Sequence, residues 1–79
     1  MHIQPGDKQI RRWAVPLLTQ ALKDPRAHVR AEAASTLGEL GHDATSSLPA
    51  LRQLLDDPSP DVRSAADEAI RQIESPAAK

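Results

Sequence analysis

Three histidines, His2, His28 and His42, and a scatter of serines are the side chains on which metal, acid–base or nucleophilic chemistry would have to rest in this chain of 79 residues. A metal centre made from His28, His42 and Asp43 would need three or four ligands converging inside a supporting shell, and the spacing of these residues follows no ligand motif. His2 stands in the segment before the first helical pattern, and His28 falls where a first-turn surface residue belongs. Ser35, Ser46, Ser47, Ser59 and Ser64 have no His–Asp arrangement set by spacing, so none reads as an activated nucleophile. Cysteine is absent, which removes thiolate catalysis, thiolate zinc ligation and disulfide staples together. No glycine-rich phosphate loop is present. Asp56, Asp57, Asp67 and Glu68 read as a solvated acidic face. These residues therefore predict a protein without a catalytic site, cofactor or metal.

Charge and composition narrow the partners. Ten Lys and Arg stand against eleven Asp and Glu, for a net charge of −1, so there is no general attraction to nucleic acid or to an anionic membrane. Trp13 is the single aromatic residue, which leaves nothing for base-stacking platforms or aromatic cages. No apolar run approaches the roughly 20 residues that span a bilayer. The opening MHIQPGDK has neither the basic region nor the apolar stretch of a signal peptide, and a cytoplasmic location is the expectation.

The residues that do carry a pattern are an aspartate and an arginine. D-P-x-x-x-V-R occurs at Asp24–Arg30 and again at Asp57–Arg63, an offset of 33 residues. Aligned without a gap, residues 14–41 and 47–74 share nine identities in 28 positions: Pro16/Pro49, Leu18/Leu51, Gln20/Gln53, Leu22/Leu55, Asp24/Asp57, Pro25/Pro58, Val29/Val62, Arg30/Arg63 and Ala33/Ala66. Matched prolines, aspartates and arginines point to a duplicated unit rather than to chance likeness between alanine-rich helices.

Each copy reads as a pair of helices. In the second, Ser47 caps a helix that carries Pro49 in its first turn and Leu48, Leu51, Leu54 and Leu55 at helical spacing. Pro58 stops it. Ser59 caps the next helix, where Val62, Ala66, Ala69, Ile70 and Ile73 form one stripe, and Ser75-Pro76 ends it. In the first copy the second helix spans about 27–40, with Val29, Ala33, Leu37 and Leu40 inward and Gly41 as its stop. The loop GHDATS, 41–46, joins the copies. The first helix has two readings. One starts after a cap at Asp7, turns Ile10, Trp13, Leu17, Leu18, Ala21 and Leu22 inward and takes a kink at Pro16; the other starts near Ala14. The longer one is favoured here. Alanines 33, 34, 65, 66 and 69 let helices approach closely.

With Val29 and Ala33 turned inward, Glu32, Ser35 and Glu39 face outward, and Ala65, Glu68 and Gln72 match them in the second copy. Lys8, Arg11 and Arg12 form a short basic cluster on the first helix, and a module gripping nucleic acid through them is one alternative. Two repeats leave apolar surface at both ends of a stack, since such units contact only their neighbours. Ile10, Trp13 and Val15 at one end, and Ile70 or Ile73 at the other, are the candidates. Self-association with Ile10 and Trp13 near the contact is the expectation.

The pattern L-P-x-L-x-x-L-L-x-D-P-x-x-x-V-R-x-x-A-x-x-x-I, with T-L-G-E-L-G after the first copy, resembles HEAT and HEAT-like repeats, including the phycobilisome-lyase type. The resemblance covers about 14–74. It implies an all-α superhelix, a HEAT-like solenoid of two helical hairpins and about four helices. The chain divides into a flexible tail at 1–6, one repeat at 7–41, a second at 42–75 and a tail at 76–79. The resemblance also implies a turn ladder in which Asp24 bonds Arg30 and Asp57 bonds Arg63; an aspartate at a helix C-terminus, disfavoured by the dipole, calls for such a partner. A ligand-binding Asp–Arg pair is the alternative. In such solenoids second helices line the concave face, which places Glu32, Ser35, Glu39, Glu68 and Gln72 on a mildly acidic surface suited to a protein partner of unknown identity. The implied function is a protein-interaction scaffold, with an accessory subunit of a lyase-type enzyme as a further alternative. Di-iron deoxyhypusine hydroxylases of this type carry His-Glu pairs where this chain has Ala31-Glu32 and Ser64-Ala65, so that iron chemistry is not supported.

Overall fold

The computed structural model describes the backbone of residues 8–75 and the side chains of residues 13–75. The tails expected at 1–6 and 76–79, the Asp7 cap and His2 lie outside the described residues. Four α-helical segments follow one another: α1 (Lys8–Ala21), α2 (Ala27–Leu40), α3 (Leu48–Gln53) and α4 (Pro60–Glu74). Two 3₁₀ segments, Gly41–Ser47 and Leu54–Asp56, flank α3. Among the described residues there is no strand. Three of the helices are long, whereas the expected fourth is a six-residue α-helix set between two 3₁₀ stretches. Its break has a local cause. Asp57 precedes Pro58 and takes an extended conformation (φ −62°, ψ 144°), so the preceding turn tightens before the chain leaves it.

The elements pack as two hairpins, α1 with α2 and the broken α3 with α4. The most extensive contact lies between them, along α2 and α4. Small residues make it possible. Ala33, Ala34 and Gly38 of α2 are buried, as are Ala66 and Ala69 of α4. A Cβ placed on Gly38 would overlap Gln72 Oε1 and come within 2.9 Å of the Ala69 Cα. The helices are therefore closer here than any side chain at position 38 permits. Around this seam Leu37, Leu51 and Val62 are fully buried. Each such side chain contributes about 1.5–3 kcal/mol by leaving water.

Several expected placements are revised. The longer first helix is present, with Pro16 inside it at the cost of one backbone hydrogen bond. Its inward stripe is Val15, Leu18 and Leu22, at i, i+3 and i+7, and not the one drawn through Trp13 and Leu17; those two are 77 % and 66 % exposed. Val15, expected at an open end, is buried at 6 % exposure, and Ile73 is buried as well, while Ile70 is half-buried. Ser47 does not cap α3. The 3₁₀ stretch runs straight into the helix, Ser47 keeps helical angles (φ −86°, ψ −6°), and no extended capping geometry forms. Its buried hydroxyl instead sits 2.7 Å from Thr19 Oγ1. Thr19 donates its own proton to Val15 O at 2.6 Å, so Ser47 is the donor and joins the hairpins. The joining segment 41–46, read as a loop, is 3₁₀ and buries Ala44 completely. Gly41 does end α2, at φ 61° with its N–H on Gly38 O. Ser59 caps α4 by accepting from Val62 N–H at 3.4 Å.

Gly38→Ala is expected to destabilise the protein. Gln72 can swing aside but the Ala69 backbone cannot, and the overpacking of about 1–3 kcal/mol outweighs the gain of up to about 1 kcal/mol in helix propensity. Thermal unfolding followed by circular dichroism would show a lower Tm; a higher one would mean the helices are not in close contact there.

Candidate functional site

The repeated aspartates and arginines meet at one end of the two hairpins. Each Asp ends a helix, and each Arg lies one turn into the next. Arg30 spends its guanidinium on both hairpins. Nη1 donates to Asp24 O at 2.8 Å within its own hairpin. Nε and Nη2 donate to the two carboxylate oxygens of Asp57 in the other, at 2.9 and 3.0 Å. This is the two-pronged geometry in which arginine binds carboxylate best. Both side chains are largely withdrawn from water, at 14 % and 6 % exposure. Asp57 Oδ1 also accepts from Ser59 N–H at 2.9 Å, which holds the turn into α4.

The ladder thus differs from the one read in sequence. Within a hairpin, Arg30 bonds the backbone carbonyl of Asp24, and Arg63 bonds that of Asp57 at 2.7 Å. The carboxylate rung runs between hairpins, from Arg30 to Asp57. Repetition in sequence shows only that both residues recur in the same place; it cannot separate a bond inside a unit from one to the neighbouring unit. Asp24, which corresponds to Asp57, has a different arginine on it. Arg26 N–H and Nε donate to Asp24 Oδ1 at 2.8 and 3.0 Å, and Nη2 donates to Oδ2 at 3.1 Å. Arg26 has no place in the repeat pattern, and nothing in the sequence singles it out.

The charges leave a signature. Arg26 beside Asp24, through its side chain and then its backbone N–H, lowers the Asp24 carboxyl to about 2. The Arg30 guanidinium, helped by the Ser59 N–H, holds Asp57 below its ordinary value against the desolvation that would raise it.

A second feature lies between α2 and α4. A shallow groove of about 110 Å³ is lined by Ser35, Glu39, Ala65, Glu68, Ala69 and Gln72. Of the residues assigned to a partner surface, Ser35, Glu39, Glu68 and Gln72 come together here, and Glu32 lies exposed outside the lining. Two carboxylates and no cation line the groove. Its floor is alanine because the helices are too close for anything larger. A wider depression, lined by Val15, Pro16, Thr19, Asp43 and Ser46, lies between α1 and the 3₁₀ segment.

The two described histidines, His28 and His42, lie at opposite ends of α2. His42 Nε2 donates to Ser75 O at 2.7 Å and ties the 3₁₀ segment to the end of α4; His28 is exposed at the start of α2. Among the described residues no group of three His, Cys, Asp or Glu converges as metal ligands would. Trp13 and Leu17 lie one turn apart on α1, both exposed. Ile10, Lys8, Arg11 and Arg12 are on α1, with side chains outside the described ones. No described helix is long and apolar enough to cross a membrane.

Stacked helical hairpins, joined by a carboxylate–arginine rung at their turns and a small-residue seam between second helices, define a helical-repeat protein. The HEAT repeats family matches residues 15–79, and the chain belongs to that family. No curated protein and no solved structure matches it.

The rung gives a prediction with a definite sign. Carboxyls that are held below the ordinary value of 3.8 stabilise the fold above that pH, and the contribution is lost as pH falls from there toward about 2. Tm should therefore drop between pH 4 and pH 2. Asp57→Asn should lower Tm at pH 7 by on the order of 10 °C, because it leaves the largely buried Arg30 side chain beside a neutral partner, and should flatten that acid dependence. An unchanged Tm at pH 7 would remove the rung from the account of stability.

Proposed function

We propose that the protein is a non-catalytic protein-interaction module of two HEAT-like repeats, at 7–41 and 42–75, working in the cytoplasm. The groove between α2 and α4 is its contact surface, and a basic helical segment of a protein partner is the occupant. The observation that supports this most is the groove's lining: Glu39 and Glu68 at the sides, alanines below, and no cation among them. A helix carrying Lys or Arg along one face can lay small residues on the alanine floor and place its charges against the two glutamates. Members of the HEAT repeats family commonly serve as interaction scaffolds, which agrees with this reading. Trp13, exposed with Leu17, offers an apolar contact surface apart from the groove.

Glu39→Lys combined with Glu68→Lys tests the proposal. Both residues are exposed and make no packing contribution, so Tm should hold within a few degrees. Titration with an amphipathic Lys-rich helical peptide should shift the amide resonances of Ser35, Ala65 and Gln72 in the unaltered protein, and the double variant should weaken that binding at least tenfold. Shifts confined to α1, or equal binding by the double variant, would overturn the assignment of the groove.

A further inference from the structure

The internal rung supplies a template for a contact between molecules. Arg30 places Nε and Nη2 on Asp57, and the 33-residue offset relates Arg30 to Arg63 and Asp57 to Asp24. Arg63 is already held by its Nη1 on Asp57 O, as Arg30 is held on Asp24 O. Its Nε and Nη2 donate to no acceptor among the described residues, and the side chain is exposed. The surrounding surface shows the same vacancy. Leu22 is 2 % exposed, while its counterpart Leu55 is 40 % exposed. Leu37 is fully buried, while its counterpart Ile70 is only half-buried.

We infer that this face of the second hairpin docks the first hairpin of another copy of the chain, head to tail, with Arg63 of one copy on the Asp24 carboxylate of the other. Charge complementarity selects a second copy. Shifting the internal contacts by one repeat puts Arg63 opposite Asp24. It also converts the approach of Gly38 to Gln72 into one of Arg71 to Glu39, a second opposite-charge pair. Arg71 is 78 % exposed on an ion pair with Asp67, from which it can exchange. Its length also keeps the copies from closing to the distance that Gly38 allows, so the contact is led by charge and stays weak. Arg26 weakens it further. It occupies the same two oxygens of Asp24 that an incoming Arg63 would use, and at 66 % exposure it is a surface competitor rather than a buried partner. A head-to-tail contact of this kind is heterologous and can add copies in one direction. It shares Glu39 with the groove between α2 and α4, whereas Asp24 and Arg63, on which its test rests, lie outside that groove.

Sedimentation equilibrium of the full chain over a range of concentrations at low salt tests this. Removing the competitor with Arg26→Ala should tighten association up to about fivefold, the scale of one surface ion pair. Arg63→Gln and Asp24→Asn, each built on Arg26→Ala, should each abolish self-association while remaining helical by circular dichroism. Mixed in equal amounts, those two should recover a 1:1 dimer and nothing larger, because each retains one intact face. Should Arg63→Gln fail to fold, Asp24→Asn mixed with the Arg26→Ala protein should still cap growing chains at one end. A monomer at every concentration for Arg26→Ala overturns the inference. So does association abolished by Trp13→Ala but not by Asp24→Asn, or a mixture that fails to pair.

Discussion

The guanidinium of Arg30 is the point on which the arrangement turns. One group reaches the carbonyl that ends α1's turn and the carboxylate that precedes α4, and so it sets the two hairpins in register. A charged pair this far from water is favourable only when its donors and acceptors are fully used. Here each guanidinium nitrogen donates and each carboxylate oxygen accepts: Asp57 accepts from Arg30 on both oxygens and from Ser59 on one. Each bond has a direction, so the rung specifies an orientation that apolar packing alone would leave open to sliding.

Packing then supplies most of the free energy, and it does so through absence of side chain. Ala33, Ala34 and Gly38 meet Ala66 and Ala69, which brings two backbones close enough for leucine, isoleucine and valine on either side to close over them. The same closeness creates the groove. Two helices with alanine between them leave a trough whose walls are whatever stands next on each helix, and those residues are Ser35, Glu39, Glu68 and Gln72. Structural seam and candidate contact surface are the two sides of one choice of small residues. A chain this short has little surplus stability, so a device that serves both ends without adding residues is physically economical.

The hairpins are copies in sequence but not in environment. Asp57 is bonded across the interface, while Asp24 folds its neighbour Arg26 back onto itself; Leu22 is covered, while Leu55 is not. Such differences arise because each unit has a neighbour on one described side only. The residues that depart from the repeat follow this: Asp67 and Arg71 stand where the first hairpin has Ala34 and Gly38, an exposed ion pair in place of a buried seam.

The sequence by itself determined the all-helical class, the repeat, the course of α2 and α4, and the four residues of the ladder. These rest on local chemistry: proline and glycine stops, a serine cap, period-3.6 apolar positions and an offset of 33 that needs no coordinates to see. Five of the six residues that line the groove were legible for the same reason, since a helix fixes which neighbours of an inward alanine point out. Tertiary structure alone decided which Asp each Arg grips, which face of α1 turns inward, and that Ser47 bonds Thr19 rather than capping a helix. Trp13 and Leu17 belong to a helical stripe as regular as Val15, Leu18 and Leu22, and periodicity cannot rank two stripes on one helix. That choice falls to the partner helix, whose position depends on contacts between residues far apart in the chain.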